Sequence, residues 1–263
     1  MQHDTRYTRQ TAVPEFGENT QAALASATIA IVGCGALGGL QAELLVRMGV
    51  GMLRIADADT VALDNLHRQF LFTETDAEGR IPKVEAAVRR LRQVNAAVNV
   101  DAQNVRVTEE NIETFLSGAD VVLDATDNVT TRFLINGWCV RHRVPWVYAG
   151  VSGVSGLILP VLPDGPCLRC LYPEPLDEAA TAHPNRNGIL PPTVSLAVSL
   201  QVAQVLRILN GTARAGELIR LNVWTAAVQS VRLERNADCP CCGQKCGGGI
   251  PAAGQRLEAV GGG

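Results

Sequence analysis

Two periodicities of apolar and polar positions run along this chain, and where one gives way to the other an element begins or ends. Residues 28–32 (TIAIV) and 52–57 (MLRIAD) are short β-branched and apolar runs flanking a helical stretch from about Leu37 to Met48, the pattern of a βαβ unit. PKVEAAVRRLRQVN opens with Pro82, a residue suited to a first helical turn. VNVDAQNV, ADVVLDAT and VPWVYAG supply further strands, with helices near 109–117 and 129–142 between them. Strands alternating with helices predict an α/β fold with a doubly wound, Rossmann-like, mostly parallel sheet whose ligand sites lie at the strands' C-terminal ends.

The pattern changes after Gly150. GLILPVLPDGPCLRCLYPEP begins as a strand and turns into a Pro-rich loop, and residues 173–192 predict a long surface crossover carrying Pro173, Pro175, Pro184, Pro191 and Pro192. Connections of that length are usually functional or disordered. Thr193 to Leu209 is the most apolar segment, but it is short for a membrane span and carries Ser195, Ser199, Gln201 and Gln204, so it predicts a buried or interface helix. ELIRLNVWTAAVQSVRLERN then alternates as a pair of strands, a C-terminal antiparallel extension, and the tail from Gly247 has the composition of a flexible end.

Composition narrows the function. With 47% hydrophobic residues among 263, the chain can bury a substantial core. A formal net charge of -3 and the lack of any Lys or Arg run disfavour nucleic acid and anionic lipid as partners. The polar start MQHDTRYTRQ has no apolar stretch behind it, so a cytoplasmic setting is expected. Disulfides are then not expected, and eight cysteines point to metal or thiol chemistry.

Gly33, Gly35 and Gly38 stand in G-x-G-x-x-G spacing between a strand and a helix. Such a turn, Ala36 included, brings backbone N–H groups to a phosphate, and Asp57 at the end of the second strand, with Asp59 just beyond, is placed for ribose hydroxyls. Any adenine nucleotide would satisfy that much. DADTVALDNLHRQFLF and GRIPKVEAA then add Asn65, Arg68, Gln69 and Lys83, more phosphate partners than a dehydrogenase requires and the set a triphosphate needs. The plainer alternative makes Arg68 and Lys83 solvated surface charges. Asp124 and Asp127 flank a strand terminus, and Asp127-Asn128 can offer oxygen ligands to Mg²⁺ or can cap a helix. Cys167-x-x-Cys170 and Cys239-x-x-Cys242, about 70 residues apart, have the spacing of a tetrahedral Cys₄ zinc site, although Cys241 and Cys246 could form other pairs. Cys34 and Cys139 read as small buried residues, and His67, His142 and His183 as surface or packing residues.

RYTRQ at 6–10, GCGALGG at 33–39, DADTVALDNLHRQFLF at 57–72, PKVEAA at 82–87, LDATDNVTTR at 123–132, CLRC at 167–170 and CPCCG at 239–243 occur in the order that resembles the ThiF/MoeB/HesA family of ubiquitin-activating-like adenylyltransferases. The resemblance runs from residue 6 to about 244. It implies ATP-dependent adenylation of the C-terminal glycine carboxylate of a small ubiquitin-fold sulfur-carrier protein of the ThiS/MoaD kind, ending in Gly-Gly, for thiamine or molybdenum cofactor biosynthesis; the alternatives are a different carboxylate or a tRNA-borne acceptor, or a dimeric scaffold without turnover. Carried over motif by motif, it implies Asp57 on the ribose; Asn65, Arg68 and Lys83 on the phosphates; Asp127 on Mg²⁺; and Arg9 reaching the nucleotide from the other protomer of a homodimer. Family spacing also selects Cys167, Cys170, Cys239 and Cys242 for zinc. ThiF-like proteins carry a crossover cysteine, and this chain has none between 173 and 192, with Pro184 near that place. That departure implies a MoeB-like enzyme working with a separate sulfur donor protein. The implied organisation is one adenylation domain over 1–246, with a nucleotide-binding part at 27–150 and the crossover, interface helix and zinc-tethered strands at 151–246, followed by a tail at 247–263.

Overall fold

A computed structural model describes residues 5–173 and 188–243. Its strands are β1 (Thr28–Val32), β2 (Met52–Ala56), β3 (Asn99–Gln103), β4 (Val121–Asp124), β5 (Trp146–Ser152), β6 (Ser155–Val161), β7 (Glu217–Asn222) and β8 (Ala227–Arg232). Among the described residues they form one sheet in the order β3-β2-β1-β4-β5-β6-β7-β8. The first five are parallel and the last three join antiparallel. The α/β, doubly wound expectation with a C-terminal antiparallel extension therefore holds.

Strand β1 explains why the central runs are apolar without interruption. Ile29 and Ile31 face one helical layer, Ala30 and Val32 the other, and all four are buried. A parallel strand covered on both faces needs this composition. The helices are α1 (Thr8–Thr11), α2 (Gly17–Ser26), α3 (Ala36–Met48), α4 (Glu74–Glu78), α5 (Lys83–Val94), α6 (Ile112–Leu116), α7 (Val129–His142), α8 (Leu168–Leu171) and α9 (Pro191–Leu209). Leu24 of α2, Leu45 of α3, Leu91 of α5 and Val198 of α9 pack on the first face. Phe115 of α6, Ile135 and Trp138 of α7 and Leu168 of α8 pack on the second. Helix α9, long and apolar enough by composition to cross a bilayer, lays Val194, Ala197, Val198 and Val205 on the sheet as a core helix. Its Gln201 is buried too, donating to the carbonyls of Asp124 (3.1 Å) and Val147 (3.2 Å) and accepting from Gln41 of α3 (2.7 Å). Two helices are thus fastened beneath the end of β4.

Several boundaries differ from the sequence pattern. Helix α6 occupies only the second half of 109–117, because Asn111 folds back to accept from Thr108 N at 2.8 Å and spends that stretch on a turn. Pro82 sits at the cap of α5, extended, and the helix opens at Lys83. Helices α1 and α2 have weak periodicity and are held by docking: Tyr7 Oη accepts from Asn95, and Gln10 and Gln21 donate to Met48 O at 2.9 and 3.1 Å. Most of the predicted crossover, 174–187, and the tail lie outside the described residues.

Candidate active site

Strand order reverses between β1 and β4, since the chain leaves β1 toward β2 on one side and returns as β4 on the other. A crevice at that point is the usual ligand site of an open α/β sheet. Here it is an open cavity of about 1600 Å³.

The glycine turn forms its floor. Gly33 has φ +99°, and a Cβ there would lie 2.6 Å from Ala125 O. At Gly38 a Cβ would lie 2.0 Å from Gly33 O. These two positions permit the turn itself, whereas a Cβ on Gly35 would meet only Gln69 Nε2, at 3.6 Å, so the backbone there stays open to the cavity. Ala36 opens α3 with its N-terminus toward the same space, which favours an anion.

Asp57 lies directly after β2. Its Oδ2 accepts from Cys34 N at 2.6 Å and its Oδ1 from Asp59 N at 2.8 Å, so the acid is fixed against the glycine turn while remaining part of the cavity wall. Two bonds leave lone pairs on both oxygens.

The basic residues are not solvated surface charges. Lys83 is buried, and its Nζ is held 2.9 Å from Asp59 Oδ2. Arg68 is half-buried, with Nη2 donating to Asn65 Oδ1 at 2.7 Å and Nη1 to Asp64 O at 3.0 Å. Gln69 Nε2 also donates to Asn65 Oδ1, at 3.2 Å, and its buried Oε1 has no hydrogen-bond partner among the described residues. Asn65 is therefore the hub that aims both neighbours. His67, expected on the surface or in packing, is exposed at the same cavity and bonds Asp64 O through Nδ1 at 3.1 Å.

At the end of β4 the two acids separate. Asp124 is fully buried and bound to Arg132 Nε at 3.1 Å, so it cannot face a ligand. Asp127 is exposed at the cavity. The capping role falls on Asn128, whose Oδ1 accepts from Thr131 N at 2.8 Å at the start of α7. That bond corrects the reading in which Asp127 caps the helix, and it occupies one of the Asn128 oxygen lone pairs offered to Mg²⁺.

Arg9 lies exposed on α1 and does not line the cavity within its own chain. Asp57, Asp59, Asn65, Arg68, Gln69, Lys83, Asp127 and Asn128 all do.

Packed with Trp138 and Leu168 on the second face of the sheet, the sulfurs of Cys167, Cys170, Cys239 and Cys242 lie within 4.8 Å of one another. Cys167 and Cys239 are 3.7 Å apart and Cys170 and Cys242 3.4 Å. A tetrahedral zinc with bonds of about 2.3 Å has sulfur edges of about 3.8 Å, so the donor set fits that ion. Burial pushes the Cys170 thiol up to about 11. Cys241 accepts from Asn136 Nδ2 at 3.1 Å and lies beside the Cys167 thiol, and it is not among the four sulfurs that lie within 4.8 Å of one another. Cys34 and Cys139 are buried, as expected.

Fold and site together define a nucleotide-binding α/β protein, and comparison with known proteins makes the class specific. Residues 7–241 match the ThiF family. The sulfur carrier protein ThiS adenylyltransferase of Bacillus subtilis is 38% identical over 91% of this chain and 72% of its own length. The SAMP-activating enzyme E1 of Haloferax volcanii is 34% identical over 91% of this chain and 88% of its own. The sulfur carrier protein adenylyltransferase of Thermus thermophilus is 36% identical, covering 91% of each chain. Among solved structures, E. coli MccB with ATP superposes with a TM-score of 0.78 over 91% of this chain and 75% of that one, and at 22% identity it shows the shared fold. The chain belongs to the ThiF family and is an adenylyltransferase.

Proposed function

We propose that this protein adenylates the C-terminal glycine carboxylate of a small ubiquitin-fold sulfur-carrier protein ending in Gly-Gly, using ATP with Mg²⁺ and releasing pyrophosphate. The observation that carries the reading is the convergence of Asp57, Asn65, Arg68, Lys83 and Asp127 on one cavity at the sheet's reversal point. Relatives named for ThiS and sulfur-carrier adenylation support the choice of acceptor, with sulfur transfer for thiamine or molybdenum cofactor as its use.

In this reading the backbone from Gly33 to Ala36 approaches the phosphates and Asp57 takes the ribose hydroxyls. Asn65, Arg68, Gln69 and Lys83 hold the β- and γ-phosphate oxygens. Asp127, with Asn128 beside it, holds Mg²⁺, which neutralises phosphate charge when bound. The acceptor carboxylate is itself the nucleophile. One of its oxygens forms a bond to the α-phosphorus, the α-phosphorus–oxygen bond to the β-phosphate breaks, and pyrophosphate leaves with that electron pair. No proton moves, so no general base is needed. The barrier is the approach of two anions, and fixed cations on the departing group lower it. Arg68 and Lys83 are already oriented by Asn65 and Asp59, so little reorganisation is required at the moment of reaction.

Zinc at the four cysteines would be structural, since a Cys₄ set leaves no open position. Arg9 would act on the partner protomer's nucleotide in a homodimer. With no cysteine between 173 and 192, the activated carrier passes to a separate sulfur donor protein. The test is carrier-dependent ATP–pyrophosphate exchange, with Asp127→Ala as the inactive comparison.

A further inference from the structure

Beyond Asp127 the cavity continues along α7 to the face of β5, β6 and β7, and its wall there carries a half-buried guanidinium and two phenols that the phosphate-facing residues do not use. Arg132 Nε donates to Asp124 Oδ2 at 3.1 Å, and Nη2 donates to Thr126 O at 2.7 Å and Ala149 O at 3.4 Å. Its guanidinium lies 5.4 Å from the centre of the Tyr148 ring. Three of its five N–H groups are thereby committed, and among the described residues none accepts from Nη1. Tyr148 Oη and Tyr172 Oη are 3.3 Å apart. One phenol donates to the other, which leaves a single O–H with no acceptor between them.

This corner is shaped by its neighbours. A Cβ on Gly150 would lie 2.4 Å from Tyr148 Oη, so only glycine leaves that hydroxyl its place. Burial works against the Arg132 charge, and Asp124, Tyr148, Tyr172 and Asp127 together more than offset it. Burial also pushes the Tyr148 hydroxyl far above the ordinary phenol range, which keeps it a donor. Nη1 and the remaining phenolic O–H belong to side chains that line the cavity, where a ligand can supply the acceptor they lack among the described residues. Asp124 already neutralises Arg132 within the wall, so the corner suits one singly charged planar group better than a polyphosphate, whose partners stand at the Lys83 end.

We propose that Arg132, Tyr148 and Tyr172 form the acceptor-carboxylate subsite, in which Nη1 and the free phenolic O–H hold the carboxylate oxygen that does not attack. The inference rests on the adenylation reading above. The same donors then hold the carbonyl oxygen of the acyl-adenylate, so the acceptor's oxygen keeps its partners as the bond to phosphorus forms.

The test uses the full chain, zinc-loaded, with a sulfur-carrier protein that supports exchange and with that carrier bearing a C-terminal glycinamide as an unreactive probe. Tyr172→Phe and Tyr148→Phe keep the rings and delete the hydroxyls, and Arg132→Lys keeps the charge and loses the fork. Each variant should lower kcat/KM for the carrier about tenfold or more, the scale of a lost hydrogen bond to a charged group, while the Kd for ATP stays within about twofold. Wild type should bind the free-acid carrier more tightly than the amide, and Tyr172→Phe should shrink that preference. Unchanged carrier kcat/KM and unchanged acid-over-amide preference in both tyrosine variants would overturn the subsite, as would a parallel loss of ATP affinity. Wild type that exchanges with no carrier has a different signature and overturns the adenylation reading together with the subsite built on it.

Discussion

Gly38 has room for a hydrogen and nothing larger. Its missing Cβ would stand 2.0 Å from Gly33 O and 3.0 Å from the Ala125 side chain, so any substituent drives α3 off the turn that closes β1. Gly38→Ala should cost about 1–3 kcal/mol of stability. At about 2–4 °C per kcal/mol for a chain of this size, calorimetry should record a Tm lowered by several degrees, with ATP affinity falling in the same variant. A variant with wild-type Tm and ATP affinity would mean that the turn is not packed as described. Individual residues were legible in the sequence to the extent that their partners are local. Asn65, Arg68 and Gln69 lie within one turn and meet there. Asp127 and Asn128 are adjacent, yet which of them caps α7 depended on backbone geometry that spacing does not carry. Arg132 bonds Asp124 and Thr126 within the DATDNVTTR motif, but the Tyr148 ring it lies against comes from β5, and the Tyr172 hydroxyl beside that ring from beyond α8, far away along the chain.

At the scale of elements, the parallel strands were readable because burial on both faces forces runs such as TIAIV. Helices α1 and α2 were not, because docking through Tyr7, Gln10 and Gln21, rather than an amphipathic stripe, holds them. The cysteine pairs belong to this scale as well. Cys170 lies on α8 and Cys242 in the segment after β8, 72 residues on, so an ion bound to all four sulfurs ties two otherwise separate stretches to the second face of the sheet. Cys170→Ser should therefore lower zinc content and Tm together, measured by elemental analysis and calorimetry on the same preparation. A variant that stays fully metal-loaded with an unchanged Tm would refute the four-sulfur site.

At the scale of the whole molecule, the strand order brings three separate stretches, the glycine turn, the Asp57–Lys83 segment and Asp127, to one crevice. Arg9 is the exception, exposed on α1 and outside the cavity of its own chain. If it serves a partner protomer, mixing Arg9→Ala with Asp127→Ala protomers leaves each heterodimer one intact site, and about half of wild-type activity per heterodimer should return. Inactive heterodimers would place Arg9 in the site of its own chain, and an Arg9→Ala homodimer of wild-type activity would place it outside the reaction. The central claim concerns what the crevice does, and ATP–pyrophosphate exchange with Mg²⁺, run with and without a panel of Gly-Gly-ended sulfur-carrier proteins, tests it most directly. The account predicts exchange that requires one of these carriers and disappears in Asp127→Ala. Zinc-loaded, dimeric protein that binds ATP yet exchanges with none of them would contradict it.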